Sequence, residues 1–91
     1  MMPLSKAVTI INERGLHARA SAKFVELAAN FDACIEVQRG EERVEASSIM
    51  DLLMLAAGPG TDVILHAEGS QAEEALEALS ELIANKFDEA A

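Results

Sequence analysis

Cationic residues are scarce in this chain: seven Lys and Arg stand against sixteen Asp and Glu, a net charge of −9. A nucleic-acid backbone requires a basic face, so this balance argues against nucleic acid as a partner. Trp and Tyr are missing and Phe occurs three times, which removes the aromatic platforms on which bases stack. With 51% of residues hydrophobic and so few aromatics, the core must be aliphatic and tight. A single cysteine, Cys34, excludes an intramolecular disulfide and a zinc cluster. No apolar run approaches the ~20 residues that span a membrane. The opening Met1-Met2-Pro3-Leu4-Ser5-Lys6 lacks the charged-then-apolar build of a secretion signal. A cytoplasmic protein without membrane attachment is expected. Ser-His-Asp arrangements, paired carboxylates and Gly-rich nucleotide loops are also missing. At 91 residues the chain reads as one domain, residues 1–91, burying about 60–65% of its unfolded surface.

Periodicity outlines the elements. The pattern predicts strands at 6–12, 33–39, 43–47 and 61–68 and helices at 18–30, 48–56 and 71–86. Arg39-Gly40-Glu41-Glu42 reads as a hairpin, making the second and third strands antiparallel. Gly58-Pro59-Gly60 breaks the chain before the fourth strand. Asn30 suits a left-handed helix stop, and Ser70 with Glu73 suits a capping box opening the last helix. Val8, Ile10, Ile35, Val37, Val44, Ala46, Val63 and Leu65 line one sheet face. Phe24, Leu27, Phe31, Ala75, Leu76, Leu79, Leu82 and Ile83 cover it. The expected class is α+β, a two-layer sandwich with its helices on one side. Cys34 and His66 alternate onto the opposite face. A metal site formed by them with His17 would require that face to meet a helix end, so no metal is expected.

Five residues depart from this plain pattern: Gly15-Leu16-His17-Ala18-Arg19, between the first strand and the first helix. His17 sits at the helix N-terminus, where unpaired N–H groups and the positive end of the dipole favour an anion. Gly15 permits backbone angles closed to other residues in the approach turn. Arg19 offers a planar fork suited to phosphate oxygens. Arg14, Arg19 and Lys23, three of the seven cations, fall around His17, and the helix has no acid before Glu26. Helix starts normally favour Asp and Glu. Local stability does not explain the inversion; an anionic ligand does. A half-buried histidine beside two solvated cations is the plain alternative. The combination favours a phosphoryl-accepting histidine.

This stretch, with Ala22, Phe24 and Val25 following, resembles the phosphorylation-site signature of the HPr family, the histidine phosphocarriers of the bacterial phosphotransferase system. Ser47-Ser48-Ile49-Met50-Asp51-Leu52-Leu53 resembles that family's regulatory-serine segment, and the spacing and order of elements match along nearly the whole chain. Phe31-Asp32-Ala33 and Phe87-Asp88-Glu89 are similar to the nitrogen-related branch, NPr. The family's proline after the arginine is replaced by Ala20, which keeps the helix and restores one N–H near the anion site. The resemblance implies an open-faced sandwich, a four-stranded antiparallel sheet covered on one face by three helices (βαββαβα). It implies a stoichiometric carrier rather than an enzyme, needing no cofactor. An Enzyme I-type protein would charge Nδ1 of His17, and an Enzyme IIA-type domain would accept the group, with Arg19 contacting the phosphate.

Ser48 reads first as an N-cap with Asp51 as its acidic partner. The resemblance adds phosphorylation there by an HPr kinase/phosphorylase. The short helix after it is apolar on nearly every side, with Met50 and Leu53 the expected exposed pair. Ile49, Met50 and Leu53, with Arg14 and Lys23, form the expected partner-docking residues of a monomer. The competing reading is a regulatory or binding domain of similar α+β layout that acts through protein contacts, under control of Ser48 phosphorylation.

Overall fold

The computed structural model describes residues 3–89; residues 1–2 and 90–91, the ends of the expected 1–91 span, lie outside the described residues. The elements in chain order are β1 (Leu4–Thr9), α1 (Ala18–Ala28), β2 (Cys34–Arg39), β3 (Glu42–Glu45), α2 (Ile49–Met54), β4 (Asp62–Glu68) and α3 (Ala72–Ala84). A short turn at Lys86–Asp88 follows. The strands form one antiparallel sheet in the order β1-β4-β2-β3. This is the expected α+β open-faced sandwich.

Alternation decides which sheet face is covered. In β4, Val63, Leu65 and Ala67 are buried, while Ile64, His66 and the acidic ends turn outward. Ile35 and Val37 of β2 join the inner face, level with Ala67 and Leu65. Helix α1 lays Ala20, Phe24 and Ala28 on that face, and α3 adds Ala72, Ala75, Leu76, Leu79 and Ile83, the three-four spacing of an amphipathic helix. Phe24, Leu65 and Leu79 are no more than 2% exposed. Truncating any of them to Ala would cost on the order of 2–5 kcal/mol, much of the margin of a small domain. Leu27, Phe31, Val8, Val44 and Leu82 pack only partly buried around this core.

The outer face is held by polar pairs. Thr9 Oγ1 donates to Asp62 at 2.6 Å, His66 Nε2 lies 2.7 Å from Gln38 Oε1, and Arg43 Nε donates to Glu36 at 2.6 Å. Cys34 is exposed at the start of β2. Burial, with Arg43 nearby, lowers the pKa of His66. The β2–β3 hairpin pairs Arg39 with Glu42 and leaves Gly40 at φ +59°, the first loop position, where tight hairpins require a positive φ.

Three details correct the sequence reading. Ser70 does not cap α3: Gln71 is the N-cap residue, without a capping side chain. Ser70 Oγ instead donates to the Asp32 carboxylate. Gln71 accepts from the Asp32 amide at 2.7 Å and donates its own amide to the Asp32 carbonyl at 3.0 Å. Tying the α1–β2 connection to the start of α3 outcompetes a local cap. Asn30 does not stop α1 in a left-handed conformation either. The helix unwinds through Asn30 N–H to Leu27 and Phe31 N–H to Ala28, with Ala29 right-handed. The elements are also mostly shorter than predicted. Ile10 falls beyond β1, although its amide still donates to the Thr61 carbonyl at 2.9 Å.

Candidate functional site

The turn that delivers His17 is built around Gly15. Its φ is +67°, and a Cβ there would stand 2.6 Å from the Ala57 carbonyl oxygen and 2.8 Å from Gly58 Cα. Both conformation and space therefore require glycine. Leu16 is buried in the core and donates its amide to the Ala57 carbonyl at 2.9 Å. With Gly15 and Leu16 fixed, His17 adopts extended angles (φ −77°, ψ −179°) as the N-cap residue of α1. The first helical bond runs from Ser21 N–H to the His17 carbonyl at 2.8 Å. The N–H groups of Ala18, Arg19 and Ala20 precede it, and the His17 side chain does not cap them. The first turn holds no acid. Helix start and cations together make an anion-binding end. Ala20, in place of the family's proline, is fully buried in that turn.

The His17 side chain does not fold back onto its helix. Its Nε2 lies 3.2 Å from Glu89 Oε2, with the two side chains only 18% and 17% exposed. Asn12, fully buried, spans the site: its Nδ2 donates to the Gly15 carbonyl at 2.7 Å and to Glu89 Oε2 at 2.8 Å. Asn12 Oδ1 is buried without a partner among the described residues. The Arg14 amide donates to Glu89 Oε1 at 3.3 Å. These donors, Asn12 first, then His17 and Arg14, outweigh desolvation and lower the pKa of Glu89. Glu89 is thus held as a carboxylate, an acceptor only, so the neutral ring carries its proton on Nε2 and keeps the Nδ1 lone pair free.

Arg14, Arg19 and Lys23 line a depression of about 320 Å³ with His17, Asp88 and Glu89. Arg14 and Arg19 are exposed, and no ion pair among the described residues engages either guanidinium. Lys23 differs: its Nζ donates to the Phe87 carbonyl at 2.9 Å and lies 3.8 Å from the Asp88 carboxylate. It clamps the C-terminal turn. Lys86, Phe87 and Asp88 all have left-handed φ, between 55° and 58°, which costs on the order of 1 kcal/mol or more for each non-glycine residue. Burial of Phe87, only 3% exposed, and the Lys23 clamp offset that strain.

Ser48 caps α2 as expected, its Oγ accepting from the Asp51 amide at 3.2 Å. Helix α2 packs against α1 and β3, but the exposed pair is not the expected one. Met50 and Met54 are 66% and 72% exposed, whereas Leu53 is half-buried. Ile49 and Ile11 are exposed as well. The two methionines stand four positions apart, a spacing that places both on one helix face. Glu89, Asn12, Met54 and Ile11 went unremarked as site residues. Only the Met50–Met54 spacing carried a local signal.

The model of the phosphotransferase-system HPr component phosphorylation site matches residues 4–85. The chain belongs to the HPr family. It is 55% identical to the phosphocarrier protein HPr of Pseudomonas aeruginosa, over 90% of this chain and 92% of that one. It is 46% identical to the phosphocarrier protein NPr of Shewanella violacea, over 99% of each. Among solved structures, the crystal structure of HPr-C-His from Thermoanaerobacter tengcongensis superposes with a TM-score of 0.89 at 41% identity, over 100% of both chains. The protein is therefore a phosphocarrier of the phosphotransferase system, not an enzyme, and its role requires partners that give and take the phosphoryl group. No helix among the described residues is long and apolar enough to cross a membrane.

Proposed function

We propose that His17 is the phosphoryl acceptor and that Nδ1 is the attacking atom. The observation that carries this reading is the orientation of the ring. Glu89 holds the Nε2 proton, the opposite nitrogen has no partner among the described residues, and the ring shares its depression with the Arg19 side chain. In the transfer, Nδ1 donates its lone pair to phosphorus as the bond from phosphorus to the donor breaks, and that electron pair leaves with the donor. The ring becomes cationic as the bond forms, and the Glu89 carboxylate at Nε2 stabilises that charge. The Arg19 guanidinium and the exposed N-terminal turn at Ala18 and Arg19, through its N–H groups, receive the phosphoryl oxygens. Transfer onward is the reverse process, with the acceptor's nucleophile in place of the donor. Phosphoryl transfer asks the protein for position and charge balance, and little more.

The donor in this reading is an Enzyme I-type protein charged from phosphoenolpyruvate, and the acceptor an Enzyme IIA-type domain, both in the cytoplasm. Ile49, Met50 and the half-buried Leu53 of α2 dock them, joined by Met54, with Arg14 on the rim. Lys23 contributes chiefly by holding the C-terminal turn. Ser48 is the regulatory serine, open to an HPr kinase/phosphorylase. One copy carries His17, Asn12, Arg19 and Glu89, which supports a monomer acting as one phosphocarrier domain over residues 1–91. The test is incubation with phosphoenolpyruvate and Enzyme I, followed by intact mass measurement. One acid-labile phosphoryl group on the parent and none on His17→Ala is the expected result. A phosphoramidate on the variant would move the assignment to His66. Offering the charged protein to sugar-specific and nitrogen-regulatory Enzyme IIA domains separates those two roles.

A further inference from the structure

Arg39 is the last residue of β2, at the hairpin end of the strand, and its guanidinium reaches the end of α2. Nη1 donates to the Leu55 carbonyl at 2.7 Å and to the Ala56 carbonyl at 3.1 Å. Carbonyls at a helix C-terminus lack helical partners, and the dipole there favours a cation. Helix α2 has no basic residue in its own last turn; Arg39 supplies one from the sheet. Ala56 is held at φ 51°, a left-handed conformation that a non-glycine residue keeps only where its surroundings impose it. The next carbonyl, that of Ala57, accepts the Leu16 amide at 2.9 Å, and the Ala57–Gly58 backbone fills the space beside Gly15. Leu16 immediately precedes His17. A connected path thus runs from the guanidinium through two carbonyls and one strained residue to the backbone that aims the histidine.

We propose that Arg39 is a positioning residue for phosphoryl transfer: by latching the end of α2 it sets the Ala57 carbonyl, which in turn fixes Leu16 and the direction of the His17 ring. The inference rests on His17 as phosphoryl acceptor. It is distinct from a simple helix cap, which would affect stability and leave transfer alone. Arg43 provides the control, because its guanidinium pairs with Glu36 on the outer sheet face and its removal changes the net charge equally.

The experiment follows the parent, Arg39→Ala, Arg39→Lys and Arg43→Ala through transfer from phosphoenolpyruvate-charged Enzyme I across a range of acceptor concentrations. Amide hydrogen exchange at Leu16 is measured on the uncharged proteins. Arg39→Ala is expected to reach the parent's final occupancy about tenfold more slowly at saturation, as a slightly misaimed nucleophile should. Its half-saturating concentration should stay close to the parent's, since Arg39 bonds the backbone carbonyls of Leu55 and Ala56 and none of the docking side chains of α2. The Leu16 amide should exchange faster. Arg39→Lys, able to bond one carbonyl at a time, should recover part of both losses, and Arg43→Ala should match the parent in both. Parent-like transfer by Arg39→Ala overturns the proposal, as does slow transfer with unchanged Leu16 exchange. If Arg39→Ala does not fold, Arg39→Lys decides: slower transfer with faster exchange supports the latch, and parent-like values of both overturn it. A parent that takes up no phosphoryl group would instead remove the His17 assignment, while Leu16 exchange would still report whether the latch exists.

Discussion

Helices α1 and α2 begin in opposite ways. At α2, Ser48 accepts the Asp51 amide and the acid lies in the first turn, so donors and dipole are both satisfied locally. At α1, the N-cap residue is a histidine whose side chain makes no cap, and the first turn contains Arg19 and no acid. Its histidine is held by Glu89, 72 positions along the chain. A Ser, Thr or Asp at position 17 would stabilise an isolated α1 by about 1 kcal/mol. The molecule forgoes that at the one helix start where an incoming anion can complete the electrostatics. The closed start belongs to the helix that exposes Met50 and Met54.

The comparison breaks most severely at His17. His17→Ala should abolish acid-labile phosphorylation while the melting temperature stays close to the parent's, because the replaced side chain caps nothing. Intact mass and a thermal melt check both halves. A large loss of stability would mean that α1 depends on this residue as α2 depends on Ser48.

Arg19 and Lys23 sharpen the comparison within α1. Arg19→Ala should slow transfer by on the order of tenfold to a hundredfold, at or below the ~10²–10³ for removing a directed donor inside a water-excluded site, because Arg19 is exposed. Lys23→Ala should slow it less and destabilise the C-terminal turn, since its ammonium is engaged with the Phe87 carbonyl. Rapid-quench transfer rates and amide exchange near Phe87 separate the two. Equal losses in transfer would indicate general attraction of acidic partners instead of phosphate contact.

At the closed start, Ser48→Ala should cost about 1 kcal/mol, a fall in melting temperature of roughly 4–8 °C in a domain of this size. Ser48→Asp keeps an acceptor for the Asp51 amide and should melt no lower than the parent. It should nevertheless take phosphoryl groups from Enzyme I more slowly, because its charge lies beside Ile49 and Met50, where docking would desolvate it. A variant that melts early but reacts normally would make Ser48 a cap alone.

The smallest effect concerns the carboxylate that holds the His17 ring at the start of α1. The pKa of Glu89 is lowered in the fold, chiefly by Asn12, so the stability it contributes is present above the unfolded carboxylate pKa. It is lost as pH falls through the depressed folded value. The Arg14 amide and the Phe87 ring should therefore become mobile in that acid range, before the core melts, as followed by NMR. Glu89→Gln should remove this transition and leave acid unfolding of the core in place. An unchanged transition in that variant would assign it to another carboxylate.

Periodicity and turn signals carried the two layers, and the family resemblance supplied the four-stranded antiparallel sheet: alternation in β4 and the three-four spacing in α1 and α3 are local consequences of backbone geometry, and they led to a sheet with helices on one face. Most of the site was also legible. Gly15, His17 and Arg19 lie within five residues, and their charge runs against helix preference, a conflict visible without coordinates. The errors have a common cause. Ser70 and Asn30 have the chemistry of caps, but Ser70 is drawn into a clasp around Asp32 that local patterns do not reveal. Met54 lost out to Leu53 because a two-turn helix apolar on all sides does not announce which side the core will take.

What the sequence determined by itself was therefore the set of elements, their inward faces and a histidine placed at an uncapped helix start, all properties of neighbours within a few positions. Tertiary structure alone decided which nitrogen of His17 is free, by bringing Glu89 onto Nε2 and Asn12 beneath it. It also decided that Lys23 clamps a turn rather than waiting for phosphate, and that Arg39 holds the end of α2. These contacts close long loops of chain, so their geometry follows from how the packed layers meet and leaves no period in the sequence to read.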